Sequence, residues 1–206
     1  MMILEDNQAK ISGEIVSKLK FDHKVGSENF YKADVRIERF SGSSDYIPIV
    51  ISDRIIDTKK NYVGTFVSIT GQIRTHNKII DNRRRLILYV FALEIEILER
   101  EKYENKIMLD GHVCKETNQR TTYRNRDISE VLISVNRPYG KKDYIPCICW
   151  GRNAIFASNF IVGNRIKVKG RLQSRVYKKY ISETEFEMRM TYEVSVCDVE
   201  VLKDEN

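Results

Sequence analysis

Asp45-Tyr46-Ile47-Pro48 recurs as Asp143-Tyr144-Ile145-Pro146, and this echo decides how the 206 residues are organised. The same spacing of 98 residues carries Gly13 onto Gly111, Arg39 onto Arg137, and Asn7-Gln8-Ala9-Lys10-Ile11 onto Asn105-Lys106-Ile107-Met108-Leu109. One more residue of slip aligns Gly64-Thr65-Phe66-Val67-Ser68-Ile69-Thr70-Gly71 with Gly163-Asn164-Arg165-Ile166-Lys167-Val168-Lys169-Gly170. Each copy closes alike, on Glu94-Ile95-Glu96-Ile97-Leu98 and on Asp198-Val199-Glu200-Val201-Leu202. A period near one hundred is too long for a solenoid unit and fits a complete small domain, so the chain reads as two copies of one fold in tandem. The first copy covers residues 1–100 and the second 104–206. The charged seam Glu99-Arg100-Glu101-Lys102-Tyr103-Glu104 has no Gly or Pro and should hold the copies close.

Working outward from the echo, alternating apolar positions mark strands. Lys10 to Lys18, Tyr31 to Phe40, Asp45 to Ser52, Phe66 to Arg74 and Arg85 to Leu98 form the first series. Ile107 to Lys115, Ile128 to Val135, Tyr144 to Trp150, Arg165 to Ser174 and Met188 to Leu202 form the second. Composition agrees: Ile and Val number 42 against 5 Ala, and β-branched side chains keep their preferred χ1 on a pleated strand. Between the third and fourth strands each copy offers a short helix, Asp53 to Tyr62 and Asn153 to Phe160, ending near a Gly. A mainly β chain of two five-stranded barrels, each with a helix between strands three and four, describes tandem OB-folds.

The longest apolar run, Leu86 to Leu93, is far short of the ~20 residues that span a bilayer, so no membrane role is expected. Met1-Met2-Ile3-Leu4-Glu5-Asp6 carries no secretory pattern, which sets a reducing cytoplasm as the default. Net charge is +6 with a pI near 9.0, from 35 basic and 29 acidic residues. Such a balance suits a polyanionic partner only if the cations cluster.

They do cluster, and next to aromatic residues. A single strand bound without regard to sequence needs π surfaces for its bases and cations for its phosphates. Phe40 and Tyr46 in the first copy, and Tyr139, Tyr144, Trp150 and Tyr177 in the second, are candidate platforms. Arg74 and Arg84 of the first copy, with Lys142, Arg152, Arg171, Arg175 and Lys178 of the second, are the candidate phosphate contacts. Lys78, Arg83, Arg85, Lys141 and Lys179 extend both clusters. The competing reading of Tyr46 and Tyr144 is a core role, since both open strands of alternating apolar residues.

The run Asp143-Tyr144-Ile145-Pro146-Cys147-Ile148-Cys149-Trp150-Gly151-Arg152, followed after a helix by Gly163-Asn164-Arg165-Ile166-Lys167-Val168-Lys169-Gly170-Arg171-Leu172-Gln173-Ser174-Arg175-Val176-Tyr177, resembles bacterial single-stranded DNA-binding proteins. The likeness covers most of residues 105 to 202. The first copy departs from it, with Ser52-Asp53-Arg54 where the second has Trp150-Gly151-Arg152. The resemblance implies single-stranded DNA as partner, in replication, recombination or repair, and a homodimer of four barrels. It also implies an acidic, Phe-terminated tip that recruits enzymes, whereas this sequence closes on Lys203-Asp204-Glu205-Asn206, which puts recruitment in doubt. RNA, a primosome-type accessory role, or a protein-interaction module remain alternatives on the same barrels.

No catalytic constellation, cofactor motif or metal site is legible, so the chain reads as a non-enzyme. Cys114, Cys147, Cys149 and Cys197 contain no Cys-x-x-Cys pair, and Cys147 and Cys149 have the spacing of two side chains on one strand face. His23, His76 and His112 are scattered, and no Gly-rich loop could cradle a phosphate. A nuclease of this fold would need clustered carboxylates around a metal, and none are apparent.

Overall fold

The computed structural model describes residues 6–80, 82–122, 125–182 and 185–202. Met1 to Glu5 and Lys203 to Asn206, on which the readings of the leader and of the acidic tip rest, lie outside them. Twelve strands form one sheet that curls into two barrels. The first half holds β1 (Asn7–Ile15), β2 (Lys20–Val25), β3 (Glu28–Glu38), β4 (Ser44–Ser52), β5 (Phe66–Ile80) and β6 (Arg83–Ile97). The second holds β7 (Glu104–Val113), β8 (Asn118–Thr121), β9 (Asp127–Asn136), β10 (Lys142–Trp150), β11 (Arg165–Tyr180) and β12 (Phe186–Val201), with α1 (Arg152–Ala157) between β10 and β11. No helix among the described residues is long and apolar enough to cross a membrane.

Each barrel closes in the same way. β1 pairs with both β3 and β5, β3 with β4, β5 with β6, and a parallel contact of Ile49 with Val90 joins β4 to β6. In the second half Cys147 meets Val194 in the equivalent parallel contact of β10 with β12. The inward positions are the predicted alternating residues, among them Ile47, Ile49, Ile69 and Ile73 in one barrel and Leu109, Ile133, Ile145 and Val168 in the other, all at most 1% exposed. Each such side chain stabilises the fold by ~1.5–3 kcal/mol.

The glycines that mark the repeat have structural work at two positions per barrel. The β5–β6 ladder slips at Thr70/Gly71 and the β11–β12 ladder at Lys169/Gly170. A Cβ on Gly71 would collide with the Phe91 carbonyl, and one on Gly170 with that of Ser195. At Gly13 and Gly111 it would collide with the carbonyls of Arg36 and Ser134, where the first strand of each barrel crosses the third.

Two expectations need correction. The first barrel has no helix between its third and fourth strands; residues 53–65 are turns. Side chains there compete for the backbone: the Lys59 N–H donates to Asp57 Oδ1 (3.1 Å) and the Val63 N–H to Asn61 Oδ1 (3.2 Å). The β-branched pair Ile55-Ile56 adds no helix preference. α1, by contrast, buries Ala154 and Ala157 completely. The second correction is β2 and β8, two additional strands that read as loops in sequence because they are mostly exposed.

The halves join through β1 and β7, which pair antiparallel from Asn7↔Leu109 to Ser12↔Glu104. Ala9↔Ile107 lies on the local twofold, since these two residues are equivalent in the repeat. Asn7 and Asn105 then perform one task twice. Asn7 Nδ2 donates to the Ile73 carbonyl while its Oδ1 accepts the Ile73 N–H, both at 2.8 Å. Asn105 treats Leu172 identically, at 2.7 and 2.8 Å.

Candidate nucleic-acid interface

The Asp-Tyr-Ile-Pro repeat is explained position by position. Asp45 and Asp143 are at most 1% exposed and sit at the joint between the barrels. Asp143 takes a two-pronged ion pair from Arg137, accepts the Thr75 N–H, and receives Arg74 Nη1 at 3.0 Å. Asp45 is paired by Arg39 on both oxygens, accepts the Ser174 N–H at 2.8 Å, and receives Arg171 Nη1 at 3.4 Å. Each aspartate thus latches onto a strand of the opposite barrel. The carboxylates hold the Arg39 and Arg137 guanidinium groups above their ordinary range, while burial pulls Arg74 and Arg171 below theirs.

The tyrosines that follow are each 43% exposed. The backbone N–H of Tyr144 donates to Thr75 Oγ1 (2.9 Å) and that of Tyr46 to Ser174 Oγ (3.0 Å), again across the joint. Ile47 and Ile145 fill the cores. Pro48 and Pro146 both line one groove of about 660 Å³ between the β5–β6 and β11–β12 hairpins.

That groove has the chemistry of a polyanion site. Five cations line it, Lys32, Arg84, Arg85, Lys179 and Arg189, against the single lining carboxylate of Glu187, which Arg189 pairs, while Asp22 beside the groove holds Lys32 at 2.6 Å. Tyr89, Tyr177 and Tyr192 supply rings. Arg189 on the same hairpin, then desolvation, then Arg83 and Arg85 on the facing hairpin depress the Lys179 ammonium below its ordinary range. A second cleft of about 630 Å³ continues over the second barrel, sharing Pro146, Tyr177 and Thr191. Its charge is reversed: Glu116, Glu130 and Glu193 face Lys115 and Arg175. Glu193 accepts from Gln173 Nε2 at 2.8 Å and from Arg175 Nε at 3.4 Å, and Glu130 pairs with Arg120 at 2.8 Å.

The candidate residues therefore divide. Arg84 and Tyr177 line the central groove, and Arg175 joins Tyr177 in the second cleft, its guanidinium 5.6 Å from the Tyr177 ring centroid. Lys178 lies over the Phe186 ring at 4.4 Å, beyond the groove lining. Tyr144, Pro146 and Trp150 share the outward face of β10, and ~3.3 Å per residue separates the two rings by ~20 Å. Trp150 is 39% exposed, with exposed Arg152 two residues on, while exposed Lys142 opens β10 at its opposite end beside Tyr144. Phe40 and Tyr139 are fully exposed on equivalent loops, away from the groove. Arg74 and Arg171 are placed in the latches and not in the groove, because their strand positions turn them toward the opposite barrel's aspartate.

Sequence reading missed Lys32, Tyr89, Arg189 and Tyr192. It also missed a ring surface on the first barrel, where His23 stacks on Phe30 (4.8 Å, 9°), Phe30 meets Phe91 (5.7 Å) and Phe21 meets Tyr31 (5.9 Å). Phe21, His23, Phe30 and Tyr31 lie close in sequence, and the pairing of β2 with β3 is what brings their rings together. Cys147 and Cys149 lie on one buried strand face, as the spacing suggested, and burial pushes the Cys149 thiol up to about 12.

Residues 104–202 match the model of the single-strand binding protein family. That match spans the second barrel, just under half of the chain. The single-stranded DNA-binding protein of Oceanobacillus iheyensis is 28% identical over 81 residues, which is 36% of this chain and 50% of that protein. The chain thus matches about half the length of this curated relative. The wild-type single-stranded DNA-binding protein of Thermus aquaticus superposes with a TM-score of 0.78 at 17% identity, covering 97% of this chain and 94% of the other. A deletion variant of the same Thermus protein gives 0.77, with 97% and 96% covered. At that identity the likeness concerns the fold alone, and it spans both halves of the chain.

Proposed function

We propose that the chain binds single-stranded DNA without regard to base sequence and shields it during replication, recombination or repair. The observation that carries this reading is the central groove, where three tyrosine rings and five cations from both barrels converge, two of the cations paired, Lys32 with Asp22 and Arg189 with Glu187. Phosphates are drawn by Lys32, Arg84, Arg85, Lys179 and Arg189, while bases stack on Tyr177 and its neighbours; every base has a π face and every nucleotide a charge, so sequence matters little. The strand leaves the groove along the outward row of β10, from Tyr144 towards Trp150. The carboxylates of the second cleft favour the central groove as the principal site.

Titration with oligo(dT), followed by Trp150 fluorescence and by retention on single-stranded DNA, tests the reading. Quenching is expected, with log affinity falling by ~0.7 per log unit of salt for each phosphate engaged. No binding at low salt overturns it.

A further inference from the structure

The hairpins that wall the groove are each anchored by the other barrel. Asp143 on β10 holds the Thr75 N–H of β5, and Arg137 reinforces it by donating to the Thr75 carbonyl at 2.8 Å. Asp45 on β4 holds the Ser174 N–H of β11 at 2.8 Å. The hydroxyls of Thr75 and Ser174 return the contact through the Tyr144 and Tyr46 N–H groups, at 2.9 and 3.0 Å. Beyond these anchor points the hairpins run on to Ile80 and Tyr180 and carry four of the five groove cations, Arg84, Arg85, Lys179 and Arg189. Charges of one sign brought together from two hairpins push them apart, and a buried two-pronged Arg–Asp pair is a directional contact able to resist that push.

We propose that the two reciprocal latches set the spacing of the hairpins, which makes Arg39, Asp45, Arg137 and Asp143, together with the hydroxyls of Thr75 and Ser174, positioning groups for the strand in the groove. This rests on the reading of the groove as the single-strand site. The latches touch no phosphate; they decide whether cations from both hairpins reach one strand together.

The test uses the full chain with Cys114→Ser and Cys197→Ser and spin labels at Asn77→Cys and Ile181→Cys. Pulsed distance measurements are paired with oligo(dT) titrations at several salt concentrations. Because Asp143→Asn strips a buried charge and can compromise folding, the Thr75→Ala/Ser174→Ala pair, which keeps both Arg–Asp contacts, is measured beside it. The inter-hairpin distance distribution is expected to broaden in both, with oligo(dT) affinity falling about tenfold and the salt slope shrinking by about 0.7 for each phosphate released. Thr75→Ser, which retains the hydroxyl, restores the narrow distribution and the slope. A distribution as narrow as in the unsubstituted latch overturns the proposal, as does full affinity and slope despite broadening. Failure of the unsubstituted chain to bind oligo(dT) overturns the groove reading and with it the strand-positioning role, and is read from a separate arm.

Discussion

Tyr177 stands where the central groove and the second cleft meet, and Trp150 stands ~20 Å along β10 from Tyr144, so their truncations report on different parts of one path. Tyr177→Ala should weaken oligo(dT) binding by ~1–3 kcal/mol even with short oligomers. Trp150→Ala, followed by retention because the fluorophore is gone, should cost as much only with oligomers long enough to leave the groove. His76 adds a pH dependence to stability. Burial, helped by Lys32, holds its imidazole below the ordinary 6.5, with Asp22 opposing. The unfolded chain therefore binds the proton more readily, so stability rises with pH up to about 6.5 and levels off above it. Melting temperatures from pH 5 to 7.5 should show that rise, and His76→Gln should remove its share. Both tyrosines of the repeated motif were legible as strand residues, open between platform and core; the aspartates preceding them were not legible as latches, because Asp45 and Ser174 lie 129 positions apart.

Strands with a strict inside-outside alternation were readable from sequence almost to their ends. β5 and β11 proved longer than Arg74 and Ser174, because beyond those residues both strands leave the barrel and neither face is covered by core. β2 and β8 were unreadable for the same reason. The helix expected over Asp53 to Tyr62 failed where short polar side chains satisfied the local backbone first. Two substitutions test the elements directly. Gly71→Ala and Gly170→Ala each drive a methyl against backbone, which should cost at least ~2 kcal/mol by denaturant unfolding. Asn7→Ala leaves the N–H and C=O of Ile73 without their side-chain partner and should cost ~2–4 kcal/mol, with Asn105→Ala matching it.

Across the whole molecule, the β1–β7 ladder and the two latches hold the barrels together independently of the connecting residues 98–103. A protease site placed at 99–101 and cleaved should leave both halves co-eluting in gel filtration at moderate salt; separation on cleavage would show the ladder and latches to be weaker than their geometry implies. Tandem duplication was the part of the architecture most open to sequence, since Asp-Tyr-Ile-Pro and its neighbours recur at one spacing. How the copies face each other was closed to it, because a repeat states what each barrel is and nothing about their mutual orientation.

The pairing of equivalent first strands across Ala9 and Ile107 has one last corollary. Two separate subunits meeting there would obey mass action and part company when scarce. Joined in one polypeptide, they meet at a fixed effective concentration, so the twin-barrel unit is as complete at a few molecules per cell as in a concentrated solution.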